Sequence, residues 1–152
     1  MAILSAGILV FRRKEGQVEV LIIHPGGPLW AKKDAGSWSL PKGQLGEGED
    51  PLVAALREFE EEIGMPCPTG KKIDLGEIKM KSGKRVRAWA VEGDLDVTQL
   101  RSNTFSLEWP PRSGKFQDFP EVDRGAYLSV QEAKEKLIAA QHPFLDRLLE
   151  VL

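Results

Sequence analysis

The chain is predicted to be an α/β or α+β protein, built as a mixed sheet with helices packed on its faces. Strand-like and helix-like patterns follow one another in the order strands, helix, strands, helix. Hydrophobic residues make up 41% of the 152 residues, which is enough to build one core. We therefore expect a single domain over residues 1–152.

The N-terminal part is predicted to form a β-hairpin. The runs Ile3–Arg12 and Val18–His24 are rich in aliphatic and β-branched residues, and a short polar turn separates them. Proline and glycine punctuate residues 25–37, which predicts a long loop. We expect Trp38–Leu40 to form a short strand after this loop.

A helix is predicted to follow. Asp50 is a good N-cap, Pro51 suits the first helical position, and Gly64 favours the end of the helix. The helical period predicts that its buried face consists of Leu52, Leu56, Phe59 and Ile63, and that its opposite, exposed face carries Glu58, Glu61 and Glu62.

The C-terminal half is predicted to contain further strands and a last helix. The strands are expected at Ile73–Met80, Arg85–Val91, Thr104–Trp109 and Ala126–Leu128, with a loop from Pro110 to Pro120. Ser129 and Glu132 form a capping box at the start of the last helix, which Pro143 interrupts or restarts.

Composition excludes several classes of protein. The net charge of -2 gives no basic field for nucleic acid, so nucleic acid is not an expected partner. The longest apolar run is too short to span a bilayer and no signal peptide is recognised, so we expect a cytoplasmic protein without a membrane segment. Cys67 is the only cysteine and is expected to be an ordinary thiol.

The acidic residues of the predicted helix suggest a metal site. Glu58, Glu61 and Glu62 lie at positions i, i+3 and i+4, where like charges repel by roughly 0.2 to 0.5 kcal/mol per exposed pair. A hard divalent cation such as Mg²⁺ or Mn²⁺ would offset that repulsion and leave coordination positions for phosphates. An acidic stretch alone is typical of a solvated helix face. The Gly-rich loop before the helix, and Arg57 within reach of Glu49, favour the metal site.

The segment from Gly43 to Met65 resembles the Nudix box of the Nudix (MutT-like) hydrolases. The box positions are occupied by Gly43, Glu49 and the run Arg-Glu-Phe-Glu-Glu-Glu-Ile-Gly-Met that begins at Arg57. The resemblance implies an α/β/α sandwich with a mixed curved sheet, and Mg²⁺- or Mn²⁺-dependent cleavage of a phosphoanhydride bond in a nucleoside diphosphate-linked compound. The implied metal site consists of the Gly43 backbone, Glu58, Glu61 and Glu62, with Glu49 and Arg57 as an orienting pair.

Residues outside the helix are candidates for the remaining roles. In the implied mechanism a metal-activated water attacks phosphorus and a carboxylate takes its proton. Glu58 and Glu121 are both candidates for this role, and the alternative for Glu121 is an ordinary loop carboxylate. Lys42 is a candidate phosphate ligand. Trp30 with Lys32 and Lys33 suggests a lid that stacks a base, although anchoring of the loop to the core by Trp30 is the favoured alternative.

The remaining charged and titratable residues favour structural roles. The basic hairpin is interpreted as a protected strand edge, with contact to polyphosphate as the alternative. His24 and His142 are expected to be structural or solvated. The members of the basic hairpin are Lys79, Lys81, Lys84, Arg85 and Arg87.

The substrate is only partly indicated. The lead-in Trp-x-Leu-Pro-Lys-Gly resembles that of diadenosine polyphosphate hydrolases and some nucleoside triphosphate pyrophosphohydrolases. The tyrosine that often follows the box in the first group is absent from Met80–Lys84, and so is the proline that often marks ADP-ribose hydrolases. A nucleoside triphosphate or dinucleoside polyphosphate is expected. A non-catalytic nucleotide-binding module and an isoprenoid-diphosphate isomerase-like enzyme are the alternatives, and both a monomer and a homodimer remain open.

Overall fold

The computed structural model describes residues 4–152, so Ile3 of the first predicted strand lies outside the described residues. The strands are β1 (Leu4–Lys14), β2 (Gln17–Pro25), β3 (Lys42–Gln44), β4 (Ile73–Lys79), β5 (Arg85–Glu92), β6 (Thr104–Glu108), β7 (Phe116–Pro120) and β8 (Val122–Ser129). A mixed sheet has the strand order β4-β5-β1-β2-β8, and β3 pairs with β1. Within the described residues, β1 and β5 pair in parallel and the other strand pairs of this sheet are antiparallel.

In the described part of the chain, three α-helices flank the sheet and confirm the predicted layers. They are α1 (Pro51–Ile63), α2 (Val130–Lys136) and α3 (His142–Val151), and 3₁₀ turns lie at Val97–Gln99 and Ala139–Gln141. Side chains of β1 alternate between two buried clusters, as the period of a strand requires. Ile8 and Val10 pack with α1, whereas Leu9 and Phe11 pack with α2 and α3. Among the described residues, no helix has the length and apolar character needed to cross a membrane.

The ends of α1 follow the sequence prediction. The Asp50 carboxylate accepts hydrogen bonds from the N–H groups of Leu52 and Val53 at 3.1 and 3.2 Å. Gly64 ends the helix with φ of 77°, a left-handed conformation that glycine adopts without strain.

The buried face of α1 differs from the predicted one. Phe59 and Ile63 are buried as expected, but Leu52 and Leu56 are only partly buried. Ala54 and Ala55 are fully buried instead. Small side chains let the helix approach the sheet closely, so the buried arc is turned toward the two alanines.

The segment after β5 contains the largest differences from the prediction. Residues 110–120 were expected to form a loop, but Phe116–Pro120 is a strand that pairs with β6 to make a separate two-stranded sheet.

Two other predicted elements can be compared with the structure. The short strand expected at Trp38–Leu40 is reduced to isolated bridges, Trp38 to Leu137 and Ser39 to Ile23. The last helix is indeed restarted at Pro143, because α2 ends at Lys136 and α3 begins at His142.

Candidate active site

A cleft of about 210 Å³ opens between the end of β2, the segment before β3, and α1. Four of the predicted site residues contribute to its walls: Trp30, Lys42, Glu62 and Glu121. They come from four separate parts of the chain. The fold therefore brings together residues that the sequence could only suggest one at a time.

Glu62 lies on the inner side of α1, and the expectation of an exposed helix face was wrong for it. At about 100° per residue, Glu58 and Glu62 fall between the buried Ala54 and Ala55 on the helical wheel. The Glu62 Oε2 atom is buried and has no hydrogen-bond partner among the described residues. Burial, reinforced by the nearby charge of Glu58, raises the pKa of Glu62 to about 8. Glu60, by contrast, is an exposed acid of this stretch.

Glu58 packs directly on Gly43. A Cβ atom at position 43 would overlap the carboxyl group of Glu58, so any larger residue there would displace this side chain. The Glu58 side chain is 16% exposed. The main chain of Gly43 and the carboxyl group of Glu58 therefore lie close together.

Arg57 joins the Gly-rich loop to the helix, as predicted. Its guanidinium forms a two-pronged pair with Glu49, with Nε to Oε2 and Nη2 to Oε1 both at 2.9 Å. This pair, with a further hydrogen bond from the Gly46 N–H, lowers the pKa of Glu49 to about 2. Nη1 of Arg57 also donates to Glu58 at 2.8 Å and to Glu61 at 3.4 Å. Arg57 thus holds the loop and two of the acids in one arrangement.

Lys42 is half-buried beside the acids. Burial lowers the pKa of its ammonium group, although Glu62 and Glu58 act in the opposite direction. Glu62 and Lys42 therefore both shift toward their neutral forms, which means that desolvation outweighs their mutual attraction. Two partly compensated ionisable groups facing one cleft are typical of a site that binds a charged ligand.

Glu121 is fixed relative to α1 through the main chain. The Asn103 N–H donates to the Glu61 carbonyl at 2.9 Å, and the Glu121 N–H donates to the Asn103 carbonyl at 2.8 Å. Burial, with the charges of Glu58 and Glu61, raises the pKa of Glu121. Nothing in the sequence pointed to Asn103, because its contribution depends only on backbone pairing.

Trp30 and Ser37 of the loop after β2 line the cleft. Trp30 is 40% exposed, so it is not a buried anchor of the loop to the core. The Lys33 ammonium lies 4.9 Å from the centre of the Trp30 ring. Lys32 is exposed and does not line the cleft.

Other charged residues lie away from the cleft walls. In the basic hairpin, Arg85 pairs with Glu77 and Arg87 with Asp74, as expected for solvated strand residues. The His142 Nε2 atom is buried without a partner among the described residues. Cys67 is a half-buried free thiol, and burial raises its pKa.

Within residues 4–152, no three carboxylate, imidazole or thiol groups already converge as a metal-binding group. The surroundings of Glu62 fit a divalent cation in two respects. The buried Glu62 Oε2 nevertheless lacks a partner, and its pKa is raised partly by a neighbouring acid. A cation would satisfy the atom and offset that repulsion.

The NUDIX domain family model matches residues 1–148. The chain belongs to the NUDIX family. The solved structure of an Ap4A hydrolase from C. elegans has a TM-score of 0.67 with this NUDIX chain at 19% identity, and the match covers 97% of this chain and 96% of that one. At this identity the likeness shows the fold alone, and it confirms the expected Nudix α/β/α sandwich.

Two relatives are more similar in sequence. An 8-oxo-(d)GTP phosphatase of Mycolicibacterium smegmatis is 31% identical over 121 residues, 79% of this NUDIX chain and 30% of that protein. A bis(5'-nucleosyl)-tetraphosphatase of Rattus norvegicus is 30% identical over 109 residues, 64% of this chain and 70% of that protein. The match therefore spans less than a third of the mycobacterial relative.

Proposed function

We propose that this NUDIX chain is a divalent-cation-dependent hydrolase that cleaves a phosphoanhydride bond in a nucleoside triphosphate or dinucleoside polyphosphate. The observation that carries the proposal is the unpartnered, buried carboxylate oxygen of Glu62 at a cleft shared with Lys42 and Glu121. A buried acid of this kind is costly unless a ligand satisfies it. The proposal treats residues 1–152 as one catalytic domain, which the family match over residues 1–148 supports.

The proposed cation is Mg²⁺ or Mn²⁺. Glu58, Glu61, Glu62 and the main chain of Gly43 would hold it, and these residues lie around the junction of β3 and α1. When bound, it would neutralise phosphate charge and lower the pKa of an attacking water. The pair of Arg57 and Glu49 orients Glu58 and Glu61 from the other side.

Glu121 is the better of the two candidates for accepting the proton of the attacking water. Glu58 is held by Arg57 at 2.8 Å, whereas Glu121 lines the cleft and makes no side-chain hydrogen bond among the described residues. Burial and the charges of Glu58 and Glu61 raise its pKa, which makes this carboxylate a stronger proton acceptor.

Lys42 and Trp30 are proposed to bind the nucleotide. The Lys42 ammonium is a phosphate ligand next to the acids, and the partly exposed Trp30 ring is a stacking surface for the base. Lys33, which lies over the Trp30 ring, and Lys32, which is exposed on the same loop, add positive charge outside the cleft. The two relatives are an 8-oxo-(d)GTP phosphatase and a bis(5'-nucleosyl)-tetraphosphatase, which supports a substrate that is a nucleotide with a phosphate chain.

The proposal is tested with a nucleotide panel. The purified full chain is incubated with nucleoside triphosphates, 8-oxo-dGTP, diadenosine tetraphosphate and ADP-ribose, with Mg²⁺ or with EDTA, and the products are separated. We expect nucleotide cleavage with Mg²⁺ and none with EDTA. Glu62→Gln should retain less than about a tenth of the rate, because losing a charged ligand costs more than roughly 1.4 kcal/mol. Glu60→Gln is the matched control, since Glu60 is an exposed acid of the same helix.

The alternatives give different outcomes in the same experiment. A non-catalytic binding module would bind nucleotides without cleaving them, and an isoprenoid-diphosphate isomerase would leave every nucleotide intact. Either result, with folded protein and Mg²⁺ present, would contradict the proposal.

A further inference from the structure

His24 is a fully buried histidine that takes no part in the cleft described above. It lies near the end of β2, and its side chain is 0% exposed. Nδ1 lies 2.8 Å from Oδ1 of Asp123 on β8. Nε2 lies 2.6 Å from the carbonyl oxygen of Lys33, in the loop that carries Trp30. The ring therefore bridges the loop and the sheet.

Both partners of the ring are hydrogen-bond acceptors. A carbonyl oxygen cannot donate, and an ionised carboxylate cannot donate either. A neutral imidazole carries only one N–H, so it would direct a nitrogen lone pair at one of the two oxygens. Because the ring is buried, water cannot relieve that repulsion. Only the doubly protonated imidazolium makes both hydrogen bonds.

The charges around His24 come from three elements. On β8, Asp123 is the direct partner, and the Arg124 guanidinium lies 5.3 Å from the Trp38 ring. The Trp38 ring packs edge-on against His24 at 5.3 Å. On the loop side, the Asp34 carboxylate accepts from Trp38 Nε1 and pairs with Lys136 of α2. The side chains of Asp34 and Arg124 carry opposite charges and contact Trp38 rather than the His24 ring. Asp123 is the acid that contacts the His24 ring.

The bridge connects to the cleft on the loop side through Lys33. His24 fixes the Lys33 carbonyl, and the Lys33 N–H donates to the Trp30 carbonyl at 3.0 Å. The Lys33 ammonium lies over the Trp30 ring, and Trp30 lines the cleft.

The bridge connects to the cleft on the sheet side through β8. Asp123 follows Glu121 by two residues, and Glu121 lines the same cleft. The Glu121 carbonyl also accepts from the Gly26 N–H at 2.9 Å, at the start of the Trp30 loop. His24 thus stands between the two segments that supply Trp30 and Glu121.

We propose that His24 is a positioning residue: held as an imidazolium between Asp123 and the Lys33 carbonyl, it fixes the Trp30 loop to β8 and so sets the distance between Trp30 and Glu121. The effect on catalysis rests on the proposed function. The protonation state of the His24 ring and the attachment of the loop are independent of the proposed function. Both are therefore measured without substrate.

The first test is nitrogen NMR of the histidine side chains in the wild-type chain at neutral pH. The chain has two histidines, so His142→Asn removes one set of signals and assigns the other. We expect both ring nitrogens of His24 to carry a proton. A ring with a single proton, whichever nitrogen carries it, would overturn the proposal even if nucleotide cleavage is confirmed.

The second test is amide hydrogen exchange of residues 26–37 in Asp123→Ala and His24→Gln, with His142→Asn as the matched control. Alanine is used at position 123 because the side-chain N–H of asparagine could donate to a neutral His24 ring and preserve the bridge. Loop amides should exchange about tenfold faster or more in the two variants, because a hydrogen bond to a charged group contributes at least that factor. Asp123 is partly exposed, so its replacement keeps the test available if His24→Gln does not fold.

The third test separates positioning from general loss of structure. With the nucleotide that the panel identifies, Asp123→Ala should raise KM by about tenfold and lower kcat much less, because loop order contributes to binding. Unchanged loop exchange in Asp123→Ala would contradict the proposal. A fall in kcat without a change in KM would do so as well.

Discussion

The buried carboxyl group of Glu62 should make the free energy of unfolding depend on pH, and this can be measured without substrate or metal. In the metal-free chain its folded-state pKa is about 8, against an ordinary value of 4.5, because the side chain is buried beside Glu58. The folded state therefore holds this proton to higher pH than the unfolded state does. The free energy of unfolding should fall as pH rises from about 4.5 to about 8, and the loss is complete above the folded-state value.

The magnitude follows from the same pKa values. Each pKa unit corresponds to about 1.4 kcal/mol. Relative to a pH below 4.5, the free energy of unfolding should therefore be lower by on the order of 3 kcal/mol at pH 7 and by somewhat more at pH 8.5. Glu62→Gln removes the charge and keeps the shape of the side chain. The metal-free variant should therefore be more stable than the wild type, by an amount that grows by about 3 kcal/mol between pH 6 and pH 8.5.

The assay is urea unfolding in EDTA at both pH values. Taking the difference between variant and wild type removes the pH dependence of groups that do not interact with Glu62. Glu60→Gln, on the exposed side of the same helix, should show no such growth. A stability difference that is the same at pH 6 and pH 8.5, or one that Glu60→Gln reproduces, would refute the burial argument.

Three further predictions concern the residues around Glu62. Gly43→Ala should weaken Mg²⁺ binding by tenfold or more in calorimetry, because the new methyl group displaces the Glu58 carboxyl group; equal affinity would contradict the packing argument. Arg57→Lys should lower kcat/KM at least about tenfold, since lysine cannot form the two-pronged pair with Glu49, and an unchanged value would remove its orienting role. Trp30→Ala should raise KM by about tenfold with a smaller change in kcat, as measured by steady-state kinetics, because stacking on the ring contributes about 1 to 3 kcal/mol; an unaltered KM would exclude base stacking there.

The sequence predicts the helix and the Gly-rich loop well because their signals are local. Asp50, Pro51 and Gly64 set the ends of α1 through neighbouring backbone groups. The pair of Arg57 and Glu49 is also close in sequence, and the structure forms it. Interactions of this range are determined by a few adjacent residues, so a pattern can indicate them.

The burial of Glu62 could not be predicted from the same helix. The large side chains of α1 suggested where its core-facing side would be, but the close packing of Ala54 and Ala55 turns that side toward Glu62. Alanine gives little signal in a hydrophobic pattern, because it is found both inside and outside. Which residues of α1 are buried depends on how the helix packs against the sheet, and this packing is a property of the tertiary structure.

Contacts between residues that are far apart in the chain also could not be predicted from the sequence. His24 and Asp123 are 99 residues apart, and nothing near either residue indicates that they meet. Strand β7 was missed because Phe116–Pro120 lies between turn-forming residues, and it becomes a strand only by pairing with β6. In both cases the partner across the fold supplies the information.

The proposed function requires that the acids of α1 bind a divalent cation. Mn²⁺ binding followed by electron paramagnetic resonance measures this without a substrate. Wild type and Glu60→Gln should bind Mn²⁺ with the same affinity, whereas Glu62→Gln should bind at least about tenfold more weakly because a charged ligand is lost. Equal Mn²⁺ affinity in Glu62→Gln and the wild type would show that the buried carboxylate of Glu62 is not a ligand, and the account of the site would be wrong.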